Sequence, residues 1–473
     1  MQERAAAPEP ARALGWSPLL LAPAGVLALL GSALLLRRPS LWYDELFTAQ
    51  VAPLPLARLV EAVLSGEGTA SYLVDVPPSY NAPYYIVAHL WLLLTGQEPG
   101  ELSLRSLSLL AAVGGVAALT AAVAQLGGRA AGLAAGLLAA TNPLVLEYSV
   151  EARGYGLALL AVALAALGLA RWLDGRGLLL YAVAATAAGL AHWFALPVVA
   201  GLAVAALLLR RRAALPLLAV TAVAALPTLA LVGLALTQDT AGTTTGWIAD
   251  TGGEVPWLSL QAWTAGSPAL LVATLALAAI GLSLARGGPA RRTAVVGACW
   301  IAVPLLVVTL AELARPVFVP RYLLPALLGL AVLAALGASA VRRPYGALLV
   351  AGLAGLSLLA ATPLVDRPPR EDARGAVEAL AAQQVTGEPV VAVDRRAALA
   401  LEQYAPERLR ADVLVPPDDP PVADVVWLLR QADGRGVRPS DDDVVLRARG
   451  LRVAEQEVFE GSSSLLVLQR WTR

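Results

Sequence analysis

Residues 17–50 read SPLLLAPAGVLALLGSALLLRRPSLWYDELFTAQ. The first part, 17–36, is almost wholly Leu, Ala, Gly and Pro. A bilayer's hydrocarbon core takes about 20 such residues as one helix. Two arginines close the run, and a few residues later Asp44 and Glu45 stand side by side. A carboxylate this near a membrane interface is costly unless it is solvated or used. Two readings fit the pair: acids at the start of a helix, which the helix dipole favours, or a general base at the membrane face.

The same apolar texture recurs along the chain. Of 473 residues, 58% are hydrophobic and 15% charged, against about 25% charged in a soluble domain. Lipid rather than water has to solvate this surface. Eleven spans are expected, at 17–36, 103–125, 130–146, 154–172, 177–191, 193–209, 213–236, 269–286, 292–311, 320–340 and 344–361. The stretch 177–209 is too long for one helix and is split near His192, with Pro197 marking the break. The first span lacks a convincing small-residue cleavage site and reads as an uncleaved anchor.

Every basic residue is arginine, and the net charge is zero, so nothing suggests a nucleic-acid partner. Arginines cluster at 129, 171 and 176, 210–212, 286 with 291 and 292, and 342 with 343, in every second loop. Those loops are expected to be cytoplasmic. The N-terminal segment 1–16 then lies inside and the C-terminal region outside, with Arg37 and Arg38 as a tolerated exception. The run NAPYYIVAHLWLLLTG, 81–96, would invert this pattern if it crossed the membrane. It is short and aromatic, and is expected to lie at the outer interface within a long first outer loop, 37–102.

Beyond Thr362 the composition shifts. DRPPRED, 366–372, reads as a linker. A helical pattern at 371–383, strand-like runs at 389–393, 424–429 and 464–468, and an Asp-rich turn at 441–443 suggest a small α/β domain over 366–473. The lone Cys299 excludes an internal disulfide, and two histidines, His89 and His192, exclude a His-rich metal cluster.

Further candidate residues gather at the outer ends of spans. LEYSVEARGYG places Glu147, Glu151 and Arg153 between two apolar runs. Arg105, Arg153, Arg315 and Arg321 lie on the side where positive charge is depleted. Guanidinium groups match phosphate oxygens in a bidentate way, and they also snorkel to lipid headgroups. His192 sits beside Trp193 where two spans meet. Trp247, Trp257 and Trp263 lie in a third outer loop, suited either to stacking on sugars or to anchoring at the interface.

Taken in order, LWYDELFTAQ, NAPYYIVAHLWLLLTG, ELSLRSLSLLAAVGG, LEYSVEARGYGLALL, AHWFALPVVAGL and PRYLLPALLGLAVL resemble segments of the GT-C superfamily of membrane glycosyltransferases. The resemblance is to family 39, which holds protein O-mannosyltransferases and aminoarabinose transferases. It implies an α-helical polytopic membrane protein of the GT-C type, with about 11 transmembrane helices and a C-terminal extracytoplasmic α/β domain. It further implies inverting transfer of a sugar from a polyprenyl-phosphate carrier to an extracytoplasmic glycan, lipid or protein. Asp44 matches the acid that activates the acceptor and Glu45 its neighbour. Glu151 and Arg153 match residues lining the cavity, and Arg321 the arginine near the lipid phosphate. His192, Tyr84, Asn81 and Arg105 are further candidates for substrate binding. No metal ligand is assigned, and a divalent cation is left open. One departure stands out: many relatives read His-Pro-Pro-Leu-Tyr-Tyr where this chain has Tyr80, Asn81, Ala82, Pro83, Tyr84 and Tyr85, so the histidine is missing and Asn81 stands near its place. A transporter or flippase and a non-catalytic scaffold are the rival readings. A transporter would carry ionisable groups in mid-span and internal repeats.

Overall fold

The computed structural model describes residues 18–65, 82–237, 248–414, 422–432 and 440–473. Asn81, Trp247 and segment 1–16 lie outside them. In lipid a backbone satisfies its own polar groups only as a helix or a closed barrel, and the apolar runs are helical. In chain order they are α1 (Ala22–Leu35), α2 (Tyr43–Val51), α3 (Leu56–Ser65), α4 (Tyr84–Thr95), α5 (Glu101–Gly127), α6 (Arg129–Ala140), α7 (Pro143–Ser149), α8 (Tyr155–Leu173), α9 (Leu178–Ala191), α10 (Leu196–Leu209), α11 (Leu215–Thr237), α12 (Val255–Trp263), α13 (Pro268–Leu284), α14 (Gly288–Ala314), α15 (Leu324–Ala340) and α16 (Tyr345–Ala361).

Among the described residues, seven helices are long and apolar enough to cross a membrane, or nine if two bent pairs each count once. The chain is a multi-pass membrane protein. The other two expected spans are α9 and α10, separated at His192 as the sequence suggested; each has 14 residues, or ~21 Å of helix. Leu215–Thr237 is only 17% buried, and its exposed Val223, Leu226 and Leu229 form a lipid-facing surface. The span starting at Pro320 is 89% buried and forms the bundle's centre. α4 has 12 residues, ~18 Å, too short to span a core about 30 Å thick.

The expected span 130–146 is broken. Pro143 cannot continue a helix from α6, and Asn142 caps α7 by accepting the N–H groups of Leu144 (2.9 Å) and Val145 (3.3 Å). The pair bends by 65°. The Asn142 amide donates to the Trp263 carbonyl at 2.8 Å, where the second bent pair, α12 and α13, turns by 105°. The two breaks brace each other. α5 and α8 are drawn together by Gly156, where a Cβ would lie 2.3 Å from the Ser108 carbonyl oxygen.

The C-terminal region adds α17 (Ala373–Gln383), α18 (Arg395–Tyr404) and α19 (Asp441–Ala448), with β1 (Val390–Ala392), β2 (Val413–Leu414), β3 (Val425–Ala432), β4 (Arg452–Glu460) and β5 (Leu465–Thr472). The sheet order is β2-β1-β3-β5-β4, with β1 parallel to β2 and β3 and the other pairs antiparallel. The Asp-rich 441–443 is not a turn but the first turn of α19, closed by Ser440 and Asp443 in a capping box. One continuous apolar core joins α2–α4 to the sheet: Leu46, Phe47, Leu59 and Tyr85 bury with Val377, Leu401, Trp427 and Leu468. The sheet and the first-loop helices therefore share one end of the bundle.

Candidate active site

α2 starts at that shared end. Successive helical residues point about 100° apart, so Asp44 and Glu45 face different surroundings. Glu45 turns inward, with a side chain 1% exposed. It accepts Arg105 Nε at 2.8 Å, Arg105 Nη2 at 2.5 Å, the Ala152 N–H at 2.8 Å and the Trp42 N–H at 3.3 Å. Burial pushes the Glu45 carboxyl up, but Arg105 and the two backbone donors together hold it below the ordinary carboxylate value. Arg105 also donates to the carbonyls of Arg38 (2.6 Å) and Ser40 (2.7 Å). Both side chains are thereby committed to tying α2, α5 and the 150–154 turn together.

Asp44 faces outward, 28% exposed, with Oδ2 3.9 Å from Arg321 Nη2. Arg321 leads into α15 from a 3-10 turn, Pro320–Leu323. Its Nε donates to the Tyr155 hydroxyl at 2.9 Å, and its guanidinium lies 5.7 Å from the Trp42 ring. Arg153 donates to the Asp44 carbonyl and to the Tyr85 hydroxyl, each at 3.0 Å. Tyr84 is turned away: its buried hydroxyl pairs with Ser108 at 3.2 Å, and the neighbouring Tyr85 meets the charged groups instead.

Glu151 is 2% exposed. Its Oε2 lies 3.2 Å from Arg370 Nη2, yet neither carboxylate oxygen has an aligned hydrogen bond. Burial pushes its carboxyl up to about 7, with Arg370 opposing. His192 is buried in an aromatic stack, 5.1 Å from Tyr155 and 5.2 Å from Tyr322. Burial, then Arg321 and Arg153, push it down to about 3, so it stands neutral behind the tyrosines that flank Arg321.

The sequence gives Trp42, Tyr155, Tyr322 and Arg370 no role here. Arg370 belongs to the stretch read as a linker, which instead walls the site. The visible signal was its charge, two arginines and three acids within 366–372. Arg38, Trp42, Glu147, Glu151, Arg367 and Arg370 line a cleft of about 410 Å³, counting its open mouth. Around Asp44 and this cleft, Arg38, Arg153, Arg321, Arg367 and Arg370 face Asp44, Glu147 and Glu151. The excess positive charge suits a phosphate. Among the described residues no three His, Cys, Asp or Glu side chains group as ligands of a metal ion. The described carboxylates here face guanidinium groups instead.

The architecture is similar over most of the chain to that of solved structures of other proteins. No family model and no curated protein matches the chain; the likeness is structural. ArnT from Cupriavidus metallidurans bound to undecaprenyl phosphate aligns over 97% of this chain and 98% of that one, with a TM-score of 0.54 and 14% identity. Its apo state gives 0.51 and 16% over 96% and 98%. The Archaeoglobus fulgidus oligosaccharyltransferase in complex with Zn and sulfate gives 0.51 and 12% over 83% and 62%. At these identities the likeness speaks for the fold.

Proposed function

We propose that the protein is an inverting glycosyltransferase that moves a sugar from a polyprenyl-phosphate carrier to an extracytoplasmic acceptor. The N-terminus is cytoplasmic, and the site and the domain over 366–473 lie on the other side. The observation that carries the reading is convergence: Asp44, the pair Glu151 and Arg153, and Arg321, from three distant segments of the chain, meet at one end of a lipid-facing bundle.

The chemistry follows from that arrangement. An acceptor hydroxyl attacks the anomeric carbon as Asp44 takes its proton. The bond from that carbon to the phosphate oxygen breaks on the opposite face, inverting the centre. Arg321 holds the charge growing on the departing phosphate, and a preorganised guanidinium in a water-poor groove is worth more there than in solution. Glu45 and Arg105 position α2, while Glu151, Arg153 and His192 line the cavity. The acceptor is a glycan, lipid or protein. A transporter fits less well. The acids named above lie at helix ends, and Glu312, within α14, sits near its end and caps the N–H groups of Val317 (2.7 Å) and Phe318 (2.8 Å).

The test supplies purified protein with polyprenyl-phosphate sugars in detergent and measures release of polyprenyl phosphate. Asp44→Asn is expected to lower kcat by about 10²–10⁴-fold with folding unchanged, and Arg321→Gln to weaken polyprenyl-phosphate binding. Full activity in Asp44→Asn removes Asp44 from the base role.

A further inference from the structure

Arg370 is carried to the site by the segment that follows the last span, and it meets two carboxylates and two aromatic rings there. Its Nη2 lies 2.7 Å from the Tyr148 hydroxyl, 3.1 Å from Glu147 Oε1 and 3.2 Å from Glu151 Oε2. The guanidinium carbon sits 4.5 Å over the Trp42 indole, the ring that Arg321 flanks at 5.7 Å. Its own backbone is gripped from the sheet. The Arg370 carbonyl accepts Ser463 Oγ (2.8 Å) and the N–H groups of Ser463 (3.0 Å) and Ser464 (3.3 Å), and the Pro369 carbonyl accepts the Ser462 N–H at 2.8 Å. These serines form the turn between β4 and β5. A Cβ on Gly461 in that turn would lie 2.2 Å from the Arg370 carbonyl oxygen, so no larger residue fits without moving it.

We propose that Arg370 is a positioning residue of the active site: pinned by the β4–β5 turn, it holds Glu151 and Trp42 in place and so makes the C-terminal sheet an integral part of the catalytic centre. This rests on the glycosyltransferase reading and deepens it. The groups that act on Glu151 include Arg370, Glu45, Arg321 and Asp44, with the hydroxyls of Tyr84, Tyr148 and Tyr155 around them. Of these, Arg370 is the nearest positive charge, so its loss raises the pH at which Glu151 ionises.

The experiment compares the full-length parent with Arg370→Gln, Arg370→Lys and Gly461→Ala. In the release assay, Arg370→Gln is expected to lower kcat by about 100-fold, the scale of a small misplacement at a reacting centre, with KM for the donor changing far less. The limb of the pH–rate profile set by Glu151 moves up by about 1 unit. Arg370→Lys restores the limb and part of the rate, and Gly461→Ala, which displaces Arg370 without removing its charge, lowers kcat and moves the limb up by less than Arg370→Gln does. The second arm needs no activity. Apparent Tm is followed from pH 5 to 9 for the parent and Arg370→Gln, each against its Glu151→Gln counterpart, and the midpoint of the difference moves to higher pH when Arg370 is lost. An active parent whose limb, kcat and Tm midpoint are all unchanged in Arg370→Gln overturns the proposal and leaves the function standing. A parent inactive on every lipid-linked donor overturns the function, and the Tm arm then still decides whether Arg370 acts on Glu151.

Discussion

Two neighbouring acids should fail in opposite ways. Glu45→Gln removes a carboxylate, 1% exposed, that receives four hydrogen bonds, two of them from one guanidinium. A glutamine keeps one acceptor oxygen and turns an NH2 group toward donors. Arg105, itself buried, keeps only the carbonyls of Arg38 and Ser40. Breaking a buried pair by removing one member costs about 3–5 kcal/mol. Asp44→Asn removes a carboxylate 28% exposed whose ion pair is long, 3.9 Å, and such a pair is worth about 0–1 kcal/mol. Unfolding of purified protein in mixed detergent and SDS micelles measures both. Glu45→Gln should lose stability on that scale and activity with it, while Asp44→Asn should lose activity alone. In a double-mutant cycle, Glu45→Gln with Arg105→Met should cost roughly 2 kcal/mol less than the two changes summed. A Glu45→Gln protein within about 0.5 kcal/mol of the parent would refute the buried lock.

Two more outcomes are expected. Glu151 is held near 7 by burial against an ordinary 4.5, so the native state keeps a proton that the unfolded chain releases. Stability is therefore fully present below about 4.5 and falls as pH rises toward 7, by roughly 3 kcal/mol for this group. Glu151→Gln should flatten that part of the apparent-Tm curve, and an unaltered slope would show that Glu151 ionises freely. Gly156→Val, which drives a side chain into the Ser108 carbonyl, should part α5 from α8 and lower apparent Tm more than Gly233→Val, where the added carbon meets nothing within 4 Å; equal effects would refute close packing as the reason for the glycine.

The membrane fold was legible because one solvent decides it. Long apolar runs between arginine clusters leave few alternatives, and even the break at His192 could be read. The break at Asn142–Pro143 was missed although Thr141, Asn142 and Pro143 interrupt the run 130–146, because its summed hydropathy stays that of a span and hydropathy alone does not register a cap. The position of Asp44 just beyond a span was legible; its role as base is the proposal made above. That Glu45 is spent on Arg105 was not, since the pair is 60 residues apart and depends on how α5 docks. Arg370 lay further still, 219 residues from Glu151, in a stretch whose prolines suggested a tether. β4, RVAEQEVFE, is an edge strand with nearly every side chain exposed, so it lacks the alternation by which strands are read.

The core shared by α2–α4 and the sheet has a consequence in time. Phe47 waits for Leu468 to be made before that core can close. At about 5–20 residues per second, the wait is roughly 20–80 s. Throughout it the apolar faces of the earliest loop helices are covered only in part, by α5 and the 150–154 turn. A cell making this protein has to shelter them, with lipid or a chaperone, until the last strand arrives.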